Sequence, residues 1–337
     1  MGVFLGYDSN AVRDGSGAQV QRVLAIYCMA QYLGINYAHS RICDVDFNPG
    51  DGIKTISHMK KYIEKLNYFL KDLTINEPVK PVVTKLDLNF FFRWFFIAKL
   101  FFIVKGLQSK LLQEDYLYLV SDPYIFMERH PEAYTRLTGI KELINPVSKK
   151  KRISIQMHLV RAKTSSLSMP ERFTEDDWYL EILDKVLFEI STRGLDFEIL
   201  LHTDVSDKKI WRVPKGANTE TLKFWDSAGI LDKNRNLNLQ DRSVLEKFYK
   251  YPNLSVISNI DPVEAWKIMG RADLLLMGKS SFSFVGALLN SSGIIFTPPF
   301  WHAGPKSWHV VSDRDTLDTK DIFTILDQSG VWTKKLS

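Results

Sequence analysis

Between residues 153 and 298, short apolar runs alternate with amphipathic ones, and this alternation limits the fold more than any other feature of the chain. "ISIQMHLV" (153–160), "FEILLHT" (197–203), "LSVI" (254–257), "ADLLLM" (272–277) and "GIIFTP" (293–298) read as strands. "EDDWYLEILDKVLFEIST" (175–192) and "DPVEAWKIMG" (261–270) read as helices, the second with an acidic start and a glycine stop. Residues 242–250 and 283–290 also read as helical. Strands this apolar are covered on both faces, so the pattern predicts an α/β fold around a mostly parallel, doubly wound sheet.

The first half follows the same rule less cleanly. "VFLGY" (3–7) reads as a strand, 8–17 as a glycine-bearing loop, 18–34 as a helix with Val20, Val23, Leu24, Tyr27 and Ala30 near one face, and 35–40 as a second strand. A helix over 55–71, an aromatic helix, a strand over 116–120 and a helix over 131–144 complete this half. "NPVSKKKR" (145–152) reads as a linker. At 337 residues two domains are expected. They are 1–148 and 149–337, with the last helix able to pack back on the first domain, and the two sheets facing a cleft.

The net charge of +5 suits an anionic ligand and is too small and dispersed for a nucleic-acid surface. Two cysteines, Cys28 and Cys43, make no disulfide framework and fit a reducing compartment. "MGVFLGYDSN" lacks the features of a secretory signal, so a cytoplasmic protein is expected. "NFFFRWFFIAKLFFIVKG" (89–106) is broken by Arg93, Lys99 and Lys105 and is shorter than the roughly 20 residues of a membrane span. As a helix it is expected to be buried with snorkelling basic tips; the alternative is peripheral contact with a membrane interface.

In open α/β sheets ligands sit at the carboxyl ends of strands, and three groups of residues fall there. The first is Asp14-Gly15-Ser16-Gly17, with Gln19 following, where glycines let a ligand approach the backbone at a helix start. The second is "MHLVRAK", with His158, Arg161 and Lys163. Arginine forks onto phosphate oxygens. The third is Lys279-Ser280-Ser281-Phe282-Ser283, where a strand opens into a helix; three hydroxyls exceed what one helix cap requires and predict a diphosphate seat. Thr203 and Asp204 end another strand and can hold a ribose or a base, while Asp261 begins a helix and is equally explained as its cap. There is no C-x-x-C, H-E-x-x-H or carboxylate triad, and Asp44-Val45-Asp46 reads as a polar loop, so no metal site and no cofactor are expected. The incomplete glycine fingerprint disfavours a nucleotide-dependent epimerase.

In their order these motifs resemble the fucosyltransferase-type GT-B glycosyltransferases, which include the α-1,2-, α-1,6- and protein O-fucosyltransferases. The shared segments are Gly15-Ser16-Gly17-Ala18-Gln19, His158-Leu159-Val160-Arg161 and Ser280-Ser281-Phe282-Ser283. The resemblance implies two Rossmann-like domains, the C-terminal one binding the nucleotide sugar. It implies a metal-independent, inverting transfer of a sugar, fucose favoured, from a nucleoside diphosphate donor to a hydroxyl of a glycan or glycoprotein. Val160 stands where the family has the first arginine of a pair, and Ala162-Lys163 where Gly-Asp or Thr-Asp often follows. The donor therefore stays open among GDP-fucose, UDP-xylose, another UDP-sugar and a deoxysugar nucleotide. Arg161 and the serine hydroxyls would stabilise the departing diphosphate, and Asp14, His39 and His158 are the candidate bases. Gly15, Gly17, Gln19, Lys163, Thr203, Asp204, Asp261 and Ser280–Ser283 would line the donor. The rival classes are a non-catalytic nucleotide-sugar or glycan-binding protein and a membrane-peripheral protein.

Overall fold

In a computed structural model of the chain, the residues described are 2–10, 14–45, 56–74, 77–86, 94–137, 152–161, 171–205, 210–212, 219–227, 231–234, 236–238, 242–258, 260–311, 324–325 and 327–328. They divide into two compact units. Unit 1 is Met1–Asp46, Met59–Leu143 and Trp301–Lys306; unit 2 is Phe47–His58, Ile144–Phe300 and Ser307–Ser337.

Unit 1 runs β1 (Val3–Tyr7), α1 (Ser16–Leu33), β2 (Asn36–Tyr37), α2 (Ile56–Leu70), β3 (Val82–Leu86), α3 (Phe95–Leu112), β4 (Tyr116–Val120) and α4 (Tyr124–Arg129). Its sheet has the order β2-β1-β4-β3 and is parallel throughout. Every residue of β1 is buried, as a central parallel strand requires. α1 covers it with Val20, Val23, Leu24 and Tyr27 and stops at Gly34, whose left-handed backbone (φ 73°) lets its N–H bond back to the last turn. Gly6 is needed for a close approach: a Cβ there would lie 2.8 Å from Ser40 Oγ and 2.9 Å from the Ala38 carbonyl oxygen.

Unit 2 runs β5 (Ile153–Leu159), α5 (Asp176–Thr192), β6 (Phe197–Thr203), β7 (Ile210–Arg212), α6 (Thr219–Ser227), β8 (Asn236–Asn238), β9 (Leu254–Ile257), α7 (Pro262–Met269), β10 (Leu274–Leu276), α8 (Ser281–Leu289), β11 (Ile294–Thr297) and β12 (His309–Val310). β7 and β8 form a separate antiparallel pair. The other six strands make one parallel sheet, ordered β9-β6-β5-β10-β11-β12. Counted within this sheet, that order is 3-2-1-4-5-6, the doubly wound order of dinucleotide-binding folds, with its switch point between β5 and β10.

β5 divides its residues between two environments. Ile155, Met157 and Leu159 join Tyr179, Ile182, Leu183 and Val186 of α5 in the main core, where each large apolar side chain contributes about 1.5–3 kcal/mol by burial. Ser154, Gln156 and His158 alternate with them and are also buried. Gln156 Nε2 donates to the Ile268 carbonyl of α7 (2.9 Å), so this second face lies under α7.

The departures from the sequence reading have local causes. α1 begins at Ser16, which puts Gly17 in its first turn. β3 and the β7–β8 pair are strands that the sequence reading did not include, and β3 is an exposed strand at the sheet edge. The helix expected over 131–144 is, among the described residues, a 3-10 turn over Pro131–Arg136 after the short α4. The aromatic helix lies over Phe95–Leu112 rather than 89–106, with 89–93 outside the described residues. Burial was expected of it, but only Ala98, Phe102 and Ser109 are buried. The basic linker, apart from Arg152, also lies outside the described residues.

Candidate functional site

At the switch point of unit 2, the carboxyl ends of β5 and β10 lie side by side, Leu276 aligned with Met157. The next turn, Met277–Ser280, leads directly into α8. Ser280 caps that helix, its Oγ accepting from the Phe282 N–H (3.2 Å). Ser283 is fully buried, and its hydroxyl reaches back to the carbonyls of Gly278 (3.0 Å) and Ser280 (3.1 Å), so its proton holds the turn. Lys279, Ser280, Ser281 and Phe282 are half-buried.

Phe282 joins the two strand ends. Its ring stacks on His158 with centroids 5.3 Å apart, and its carbonyl accepts from Trp266 Nε1 (3.0 Å). Gly278 makes the approach possible: a Cβ there would sit 2.7 Å from the His158 carbonyl oxygen and 2.8 Å from Tyr179 Oη. Tyr179 Oη donates to that same carbonyl (3.0 Å).

His158 is 5% exposed and its Nδ1 is buried without a hydrogen-bond partner among the described residues. Burial, then His202 and Arg161, push its pKa down to about 3, so the ring is neutral at physiological pH. His202, opposite it on β6, is lowered to about 4 by burial. His202 Nε2 pairs with Gln156 Oε1 at 2.9 Å; the Gln156 amide nitrogen is already donating to Ile268, so Nε2 carries the proton.

Both histidines are buried neutral, and each has an unfolded pKa near 6.5. Between that value and their folded values the unfolded chain binds more protons, so stability is complete above about pH 6.5 and is lost as pH falls toward 4. The loss is at most about 1.4 kcal/mol per pH unit for each histidine. Chemical denaturation of the chain across that range should show this slope, and His202→Gln should remove the His202 share of it and leave that of His158.

Arg161 comes to the end of β5, but its guanidinium is 4% exposed and already engaged. It pairs with Asp176 Oδ1 (2.8 Å from Nη2, 3.3 Å from Nε), donates to the carbonyls of Thr174 (2.6 Å) and Val160 (3.1 Å), and lies over the Phe173 ring. Its own backbone N–H donates to Asp204 Oδ1 (2.7 Å), and Thr203 Oγ1 accepts from the Val205 N–H (3.3 Å). Asp261 caps α7, accepting from Val263 and Glu264. Lys163 lies outside the described residues.

Unit 1 has its own polar cluster at the ends of β1 and β4. Gly15 is the N-cap of α1, with open space where a Cβ would stand. Asp14 accepts from the Gly15 N–H (2.8 Å) and pairs through Oδ2 with Arg22 (3.1 Å); its carboxylate is 40% exposed. Gln19 is buried and ties the carbonyls of Asp14 (3.1 Å) and Asp44 (2.6 Å) together. Arg22 lies 5.6 Å from the ring of Tyr124, on which His302 stacks at 3.7 Å. Burial and the Arg22 charge lower His302 to about 4. His39 stands apart from this cluster, its ring nitrogens against Asn67 Oδ1 (3.1 Å) and Tyr37 Oη (3.3 Å).

The structure thus gathers His158 with Ser280, Ser281 and Phe282, and Asp14 with Gly15 and Gln19. Arg22, Tyr124 and His302 were missed from the sequence. Arg22 left a signal: it follows Gln19, Val20 and Gln21 in a stretch of helix, 19–30, whose other residues are all buried, and a charge there requires a partner. Nothing local marks His302, which reaches unit 1 through a six-residue segment, Trp301–Lys306.

No protein-family model matches the chain, and no curated protein matches it. Among solved structures it is similar to E. coli heptosyltransferase WaaC with ADP, at 12% identity over 98% of this chain and 100% of that one, with a TM-score of 0.39. It is similar to POFUT1 in complex with GDP, at 11% identity over 88% of this chain and 98% of that one, with a TM-score of 0.39. It is also similar to E. coli ADP-heptose lps heptosyltransferase II, at 9% identity over 99% of this chain and 100% of that one, with a TM-score of 0.36. The main sheet of each unit is parallel.

Proposed function

We propose that the chain is a glycosyltransferase that takes its sugar from a nucleoside diphosphate donor held by unit 2. The observation that carries this reading is the meeting of β5 and β10 at the switch point, where a serine-capped helix start is joined to a neutral histidine through the stacked ring of Phe282. The amides that open α8, apart from that of Phe282, and the hydroxyls of Ser280 and Ser281 offer donors to a diphosphate without a cation. As the glycosidic bond to the leaving diphosphate lengthens, negative charge grows on its oxygens, and fixed donors of this kind stabilise it more than the ground state. The transfer is read as metal-independent and inverting, with GDP-fucose the favoured donor and a UDP-sugar or deoxysugar nucleotide next. The acceptor is a hydroxyl of a glycan or glycoprotein.

Of the three candidate bases, Asp14 suits the proton transfer best. Its carboxylate is 40% exposed even with one oxygen accepting from the Gly15 N–H and the other paired with Arg22, whereas His158 is 5% exposed with a basicity far below the ordinary imidazole, and burial lowers the basicity of His39. Arg161, already paired to Asp176, holds the end of β5 in place.

The test is a thermal-shift and turnover series in EDTA with GDP, UDP, ADP, dTDP and their sugars. One nucleoside diphosphate should raise the melting point, by about 2.7 kcal/mol of stabilisation at a hundredfold excess over its Kd. Asp14→Asn should keep that shift and lose transfer about 10²–10⁴-fold. No shift with any nucleotide refutes the reading. Abolition of activity by EDTA refutes the metal-free part of it, and a shift without turnover points to the binding-protein class.

A further inference from the structure

α3 exposes an apolar face that the fold of unit 1 does not use. Phe96, Ile97, Leu100, Ile103, Val104, Leu107 and Leu111 are all exposed, Phe96 at 82% and Leu111 at 83%. At 100° per residue they form one stripe along the helix, opposite the buried Ala98, Phe102 and Ser109. Single exposed apolar residues are ordinary, but seven on one face of one helix mark a surface that is covered in use.

We infer that this stripe of α3 lies in the plane of an anionic membrane surface. Three observations favour lipid over a protein partner or a second copy. The stripe offers no side-chain donor or acceptor, whereas a protein interface carries about one hydrogen bond per 100–200 Å². The helix satisfies its backbone internally, so its face can enter hydrocarbon at no polar cost. α3 also has no acidic residue, and Lys99 and Lys110, eleven residues apart, fall on the same shoulder of the stripe, from where their ammonium groups reach the headgroups. Among the described residues no helix is long and apolar enough to cross a membrane.

Flotation of the full chain with vesicles of phosphatidylcholine alone, or mixed with phosphatidylglycerol, tests this. The chain should float with the anionic vesicles and less with the neutral ones. Lys99→Glu/Lys110→Glu should lower the bound fraction on the order of tenfold. Leu100→Glu/Leu107→Glu/Leu111→Glu should abolish flotation while circular dichroism and the melting point stay at the parent values. Failure of the parent chain to float with either vesicle overturns the inference. So does a self-association, seen by sedimentation, that the leucine variant dissolves while vesicles capture neither protein.

Discussion

Arg161→Ala is expected to cost unit 2 about 3–5 kcal/mol, because it leaves a largely buried carboxylate without its partner. In the parent, Asp176 is 20% exposed and faces the guanidinium at 2.8 Å, with Lys247 at 3.9 Å as its next cation. Alanine also strips the donor from the Thr174 carbonyl. For a unit of this size the melting point should fall by roughly 10 °C. Arg161→Lys should recover only part of that, since one ammonium cannot reproduce a fork that reaches Asp176, Thr174 and Val160 together. Arg161→Met with Asp176→Leu should recover more, because an apolar pair of similar volume leaves no buried charge. At a temperature where the alanine variant is folded, calorimetric titration should still show nucleoside diphosphate binding. An unchanged melting point together with complete loss of nucleotide binding would return Arg161 to the phosphate and reverse this assignment.

That residue shows where sequence reasoning stops. Its position at a strand end was legible, because the apolar run of β5 ends at Leu159 and a parallel sheet delivers whatever follows to the ligand side. Which way its side chain turns was not, since its partners Thr174 and Asp176 lie 13 and 15 residues further along the chain. The switch point was open to inference for the same reason as β5: β10 and β11 are apolar on both faces, and the serines follow directly. β3 escaped notice because an exposed edge strand needs no apolar alternation. α3 misled through composition alone. An apolar helix reads as core, and only the position of its neighbours reveals that one face has none.

Gly278→Val should separate the geometry of the switch point from its chemistry, since glycine contributes no functional group there. The first added carbon would meet the His158 carbonyl at 2.7 Å and Tyr179 Oη at 2.8 Å, closer than real Cβ contacts come, and the branch carbons of valine crowd it further. Neither neighbour yields easily: one is backbone inside the central strand, and the other is fully buried and bonded to it. The turn from β10 to α8 must therefore move away from β5, at a cost of about 1–3 kcal/mol from overpacking and about 1 kcal/mol more if the Tyr179 hydrogen bond breaks. Moving the turn carries Ser280, Ser281 and Phe282 off His158, and a displacement of about 1 Å is enough to cost about a hundredfold in a positioned site. The nucleotide-induced thermal shift should vanish in Gly278→Val protein that is still folded by circular dichroism. Gly106→Ala, where a Cβ meets nothing within 4 Å, serves as the control and should keep the shift. A full shift in the valine variant would mean that the nucleotide sits elsewhere, because no diphosphate seat built on the start of α8 survives the loss of its register against β5.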